Sequence, residues 1–256
     1  MTAGPPPGIA LVTGAGKRIG KAIAFALADA GYDLIVHYNS SAKEADDVAS
    51  AIKDKGRRAV ALQTNLSSEN ETSGLIAAAN DALGPVSLLV NSASVFEHDD
   101  AQTMTRESWD YHLDTNLRAP LKLIQDFAAQ KNNNANKSAV NIIDQRVLKL
   151  TPQFFSYTLS KSALHAATKT LAQTLGPIGI RVNAIGPGPI IKNARQSDED
   201  WEKQNSATIL GAGATPHDIS QAVLYLAQAT SVTGQMIAVD GGQHLTWQTP
   251  DVMVNE

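Results

Sequence analysis

The sequence predicts an α/β protein: one doubly wound, parallel, seven-stranded sheet with helices on both faces. Three observations carry this. Short apolar runs that suit buried strands alternate from end to end with stretches whose apolar residues recur every three or four positions. No linker or shift in composition divides the 256 residues, a length that suits one large domain with a substantial core. The first apolar run passes directly into a glycine-rich loop, TGAGKRIG, and then into a helical stretch. Strands alternating with helices give right-handed βαβ units, and these build a parallel sheet covered on both sides.

The elements follow in order. Ile9–Val12 reads as the first strand, and Ile19–Ala30 as the helix after the glycine loop. Leu34–Tyr38 and Ala59–Gln63 are the next strands, followed by helices over Ala42–Lys55 and Glu69–Leu83. Ser87–Val90 leads through a loop into one long helix, Glu107–Gln130, and then the solvated loop Lys131–Lys137 (KNNNANK). Ala139–Ile143 is the fifth strand, Pro152–Leu175 a helix, and Arg181–Ala184 the sixth strand. The polar, irregular stretch that follows makes residues 192–210 a candidate substrate lid, with Asp198, Glu199 and Asp200 as a solvated helix start anchored by Trp201. Helix His217–Gln228, strand Met236–Val239 and a tail over residues 243–256 complete the chain.

Composition narrows the function. A net charge of −4 without clustered lysines or arginines argues against nucleic acid and anionic membrane surfaces as partners. No apolar run has the roughly 18 residues needed to cross a bilayer. The start, MTAGPPPGIALVTGAG, lacks the basic region of a secretory signal, so a cytoplasmic location is expected. Zero cysteines exclude disulfides, thiolate catalysis and zinc–thiolate sites. The spacing of His98, His112, His165 and His217 against carboxylates suggests no metal site.

Gly14, Gly16 and Gly20 stand between a strand and a helix, where glycine allows positive φ and close approach of backbone amides to a pyrophosphate. An acidic residue at the end of the second strand would bind the ribose of NAD and repel a 2′-phosphate. That strand ends in Tyr38, Asn39, Ser40 and Ser41, none of them acidic, while Lys17 and Arg18 offer cations to a phosphate. NADPH is therefore the expected cofactor. Further along, Tyr157 and Lys161 are four residues apart and share a helix face. An ammonium beside a phenol favours the phenolate and brings the group into the range of acid–base catalysis.

With TGAGKRIG, this tyrosine–lysine pair resembles the short-chain dehydrogenase/reductases, and the resemblance runs from Ile9 to about Gly242. It implies a Rossmann-type fold. Asn116 in DTNLRAP matches the helical asparagine that positions a water beside the lysine. Asn91, Ser92, Ala93 and Ser94 resemble the family's NNAG, Pro187-Gly188 its PG motif beside the nicotinamide, and VTGQMIAVDGG its final strand and turn. The cofactor site so implied comprises Gly14, Gly16, Lys17, Arg18, Ile19 and Gly20, then Tyr38 to Ser41, Asn65, Leu66, Asn91 to Ala93, Tyr157, Lys161, Pro187, Gly188 and Ile190. Two departures stand out: Asn65 replaces the aspartate that contacts adenine, and Lys192 replaces the threonine that holds the carboxamide.

A third departure bears on the substrate. Asp144 stands where the family usually carries a serine that donates to a carbonyl. An ionised carboxylate only accepts, and it would repel a developing oxyanion. It suits ring N–H groups, or acts as a donor if burial keeps it protonated; an ion pair with Arg146 is the purely structural alternative. The set Asp144, Tyr157 and Lys161, with HYNSSAKEA and NSASVF, resembles the pteridine reductases. That likeness implies reduction of a dihydropterin, with dihydrofolate a further candidate. The pterin would stack between nicotinamide and Phe96, with Arg18 and Ser94 beside it; Ser40 replaces an arginine that helps bind the 2′-phosphate. It also implies a homotetramer, with the tail, through Trp247, packed on a neighbour. A carbonyl reductase for 3-oxoacyl, sugar or ketone substrates and a non-catalytic NADP(H) sensor are the two rival readings.

Overall fold

In the computed structural model, residues 8–130, 136–193 and 195–249 are described. The expected loop at 131–135, position 194 of the candidate lid, and 250–256 of the tail lie outside them, as do residues 1–7. Seven strands form one parallel sheet in the order β3-β2-β1-β4-β5-β6-β7. They are β1 (Ile9–Val12), β2 (Asp33–Tyr38), β3 (Ala59–Gln63), β4 (Val86–Asn91), β5 (Lys137–Ile142), β6 (Ile180–Pro187) and β7 (Met236–Val239). The order reverses at β1, which pairs with β2 on one side and β4 on the other. The crevice beyond the carboxyl ends of such neighbours is where ligands settle in open α/β sheets.

The strands are apolar on both faces because both are covered. Alternate residues of β1 serve opposite cores: Ala10 and Val12 join Ile23, Leu27, Val223 and Leu226 on one face, and Ile9 and Leu11 join Leu75, Leu123, Ile124 and Phe127 on the other. The first core is covered by α1 (Arg18–Asp29), α2 (Ala42–Asp54) and α8 (Pro216–Gln228), the second by α3 (Glu69–Leu83), α5 (Ala119–Ala129) and α6 (Phe155–Leu175). Ser68, Thr105 and Thr215 cap the amino ends of α3, α4 (Arg106–Leu113) and α8.

Two expectations change. The single helix expected over Glu107–Gln130 is α4 and α5, joined by a π-helical turn over Asp114–Arg118. Such turns carry an extra residue within a helix and recur at functional sites; Asn116 lies in it, fully buried. The helix expected from Pro152 starts at Phe155, because Phe154 before it adopts a left-handed backbone, φ 56° and ψ 53°. The candidate lid contains α7 (Asp198–Ser206), whose Ser197 cap and three first-turn acids match the solvated helix start expected there. No helix among the described residues is long and apolar enough to cross a membrane.

Candidate active site

The glycine loop sits at the switch point and is fixed from behind. Thr13 Oγ1 accepts from the backbone N–H groups of Ser92 and Ala93 at 2.9 and 3.0 Å, tying the loops after β1 and β4 together. Gly14 has φ 67°, and a β-carbon there would meet Ala93 Cα at 3.1 Å; one on Gly20 would meet the Gly14 carbonyl oxygen at 2.3 Å. The amino end of α1 has no side-chain cap and no acid in its first turn, which leaves its partial positive charge open to an anion. Beneath the loop, buried His37 accepts from Gly14 N–H at Nδ1, 3.1 Å, and its Nε2 donates to the Thr64 carbonyl, 3.0 Å. Burial pushes this imidazole down to about 4, so it is neutral.

The cations and polar groups expected to meet the cofactor already have protein partners. Lys17 pairs with Glu44 of α2 at 2.8 Å. Arg18, itself at φ 49°, donates to the carbonyls of Ile191 and Lys192 at 3.0 and 3.4 Å. Asn65 turns its side-chain oxygen onto Ser67. Tyr38, Asn39, Ser40 and Ser41 close the second strand and lead into α2, Leu66 is buried, and Ile190 packs on the first core. Gly188 lies so close to Asp240 that a β-carbon would stand 2.6 Å from the Asp240 side chain.

Asp144, Tyr157 and Lys161, the expected reaction centre, lie close together. Tyr157 Oη donates to Asp144 Oδ2 at 2.8 Å, and Asp144 Oδ1 accepts from the backbone N–H of Arg146 at 2.7 Å. The Arg146 guanidinium turns elsewhere, to Thr151 and over the Phe154 ring; no ion pair with Asp144 forms among the described residues. Lys161 is buried, donates to the Ile142 carbonyl at 2.9 Å and lies 5.7 Å from the Tyr157 ring centre. The electrostatics run opposite to the expectation for Tyr157. Burial, then the Asp144 carboxylate beside it, raise the hydroxyl well above the usual tyrosine range, so it is a protonated donor. Burial also raises Asp144 and lowers Lys161 to about 8.

The loop after β4 forms one wall. Asn116 accepts from the Val95 N–H at 2.8 Å and from Ser94 Oγ at 3.2 Å, and donates to the Val95 carbonyl at 2.9 Å and Ser160 Oγ at 3.3 Å. His112 Nε2 accepts from Glu97 N–H at 3.1 Å. Asp99 accepts from Ser156 N–H and Ser108 Oγ, capping the helix that carries Tyr157 and Lys161. Phe96 is half-buried and stacks on Phe154. Opposite, Arg195 donates to Glu97 and to the Phe96 carbonyl, both at 2.6 Å; Lys192 turns away to Asp198.

His37, Asp99, Phe154 and Arg195 were missed. A histidine within the buried run LIVHY was a usable signal for the first; the other three act across long stretches of chain. Asn91, expected at the cofactor, bonds Asn141, which bonds Thr168, in a buried polar chain that also escaped notice.

A doubly wound sheet with a glycine loop at its switch point and a buried tyrosine–lysine pair beside it defines a nucleotide-dependent oxidoreductase. The family model described as Enoyl-(Acyl carrier protein) reductase matches residues 14–244. The chain belongs to the short-chain dehydrogenase/reductase family. It is similar to the crystal structure of FolM Alternative dihydrofolate reductase 1 from Brucella suis in complex with NADP, with 46% identity, TM-score 0.92, and 95% of this chain and 98% of that one covered. The corresponding Brucella canis protein complexed with NADP gives 44% identity and TM-score 0.90, covering 96% of this chain and 97% of that one. The 3-oxoacyl-(acyl-carrier-protein) reductase FabG of Staphylococcus aureus is 32% identical over 240 residues, 92% of this chain and 98% of the relative.

Proposed function

We propose that this oxidoreductase reduces a pteridine ring, a dihydropterin or dihydrofolate, with NADPH as the hydride donor. The observation that carries the reading is the hydrogen bond from Tyr157 to Asp144 at 2.8 Å. It places a carboxyl group where a carbonyl reductase needs a neutral donor. The similarity to the two Brucella proteins, each named an alternative dihydrofolate reductase, supports it.

The residues present fit the cofactor. The uncapped amino end of α1 and the glycines that admit no β-carbon suit a pyrophosphate. Gly16 and Ile19 shape that loop; Ser40, Ser41 and Lys17 receive the 2′-phosphate, for which Lys17 exchanges its partner Glu44. Asn91, Ser92, Ala93, Pro187, Gly188 and Ile190 line the nicotinamide side. NADPH supplies the hydride for the pteridine C=N bond. Lys161 holds the ribose, and Tyr157 delivers its proton to the ring nitrogen. Asp144 hydrogen-bonds the pterin and returns a proton to Tyr157, and Asn116 keeps the water that links the relay to solvent. Arg18 and Ser94 edge the pterin, and Phe96 stacks on it, worth on the order of 1 kcal/mol.

Reduction of a 3-oxoacyl thioester is the second reading, favoured by the similarity to FabG. NADPH absorbance followed with a dihydropterin and a panel of ketones and 3-oxoacyl substrates separates the two. The expected result is turnover of the pterin alone. Asp144→Ser should lower pterin kcat/KM by about 100-fold or more, the loss of a proton-transfer group, and leave the Kd for NADPH unchanged. Ketone turnover alone in the unaltered protein would sink the pteridine reading. Assembly as a cytoplasmic homotetramer, with exposed Leu245 and Trp247 of the tail against a neighbour, belongs to the same proposal. Light scattering that gives a monomer mass refutes the assembly.

A further inference from the structure

Among the described residues only Arg18 and Phe154 combine a side chain with a positive φ. Glycine or asparagine is the usual occupant of such a backbone, because a β-carbon is crowded there. Phe154 nevertheless keeps a large ring, and the strained backbone places that ring with care. It lies flat on Phe96, centroids 4.1 Å apart and planes 10° from parallel. The Arg146 guanidinium sits over the same ring, its Cζ 5.3 Å from the centroid. Arg146, Phe154 and Phe96 therefore pack as one contiguous cluster. His98 meets Phe154 edge-on at 5.1 Å. Tyr157 meets Phe96 nearly at right angles, 4.7 Å and 79°.

We propose that Phe154 is a positioning residue that selects flat substrates. It backs Phe96 and fixes the plane of that ring beside Tyr157, so that an aromatic heterocycle can stack on the ring so held. Arg146 packs on Phe154 by cation–π attraction, and its backbone N–H holds Asp144. A single short turn, Gln145–Val147, therefore sets both the stacking surface and the carboxyl group. The identity of the heterocycle rests on the pteridine reading; the preference for flatness does not.

Phe154→Gly removes the ring and suits the left-handed backbone, so the relieved strain offsets part of the packing that is lost and the variant folds. Its kcat/KM for a dihydropterin falls roughly three- to tenfold, chiefly through KM, as the loss of an ordered aromatic pair dictates. NADPH binding is unaffected, and Phe154→Tyr restores turnover of the flat substrate. Two results overturn the proposal. A rise in pterin kcat/KM would mean that the ring blocks the slot it was thought to back. A matching loss of NADPH affinity would make its role merely structural. If the unaltered protein turns over no pterin, the pteridine reading fails separately. The preference for flatness is then read from turnover of an aromatic ketone against an aliphatic one, and from quenching of pterin fluorescence as the binding measure.

Discussion

The two walls of the candidate site are held in opposite ways. The loop that carries Phe96 is gripped by Asn116 and His112, both fully buried, and by its own buried Asp99 on the amino end of α6. The facing segment between β6 and α8 is held across the site by Arg18 and Arg195, whose hydrogen bonds are exposed. Buried hydrogen bonds are costly to break because each lost partner leaves a desolvated group, whereas exposed pairs exchange readily with water. The first wall is therefore the more firmly held of the two.

Three experiments break or sharpen this contrast. Asn116→Ala strips the Val95 amide and carbonyl of their partner in the fixed wall, and should lower stability by about 2–4 kcal/mol. Turnover should collapse with it; urea unfolding that shows less than half that loss would mean that the wall is not anchored there. The glycine loop is fixed in the same manner through His37, which tests as a pH effect. The unfolded imidazole titrates near 6.5 and the folded one near 4, so between these values the unfolded chain binds more protons. Stability is therefore full above pH 6.5 and drains as pH falls toward 4, by on the order of 3 kcal/mol over the window. His37→Gln keeps a donor and an acceptor without titrating; if its melts at pH 7 and 4.5 show the same decline as the unaltered protein, another group is responsible. The smallest effect belongs to the wall held by exposed hydrogen bonds. Arg195→Ala should change stability by less than about 0.5 kcal/mol while raising substrate KM a few-fold; a Tm drop matching that of Asn116→Ala would erase the distinction.

Much of this was legible in the sequence, and the physical reason is locality. Strand cores, the glycine loop and the Tyr157–Lys161 face each declare themselves within a few residues, through periodicity or spacing. Asp144 declared itself by its chemistry. What stayed hidden depends on residues far apart in the chain. Arg195 reaches Glu97 across 98 positions, and Asp99 reaches Ser156 across 57. The break between α4 and α5 was missed although Pro120, at the start of α5, is a usable signal for it. The proton balance at Tyr157 was misjudged because neighbouring lysine was weighed without burial, and burial is the larger influence.

The π turn at Asp114–Arg118 has a consequence for chain length rather than for residue identity. Deleting any one of its five residues would let α4 and α5 fuse into a single regular helix, rotating one against the other by about 100°. Asn116 and His112 would then no longer face the same loop. At this place the protein should tolerate most exchanges of side chain better than the loss of one peptide unit, so a shortened relative would have to hold its Phe96 loop by other means.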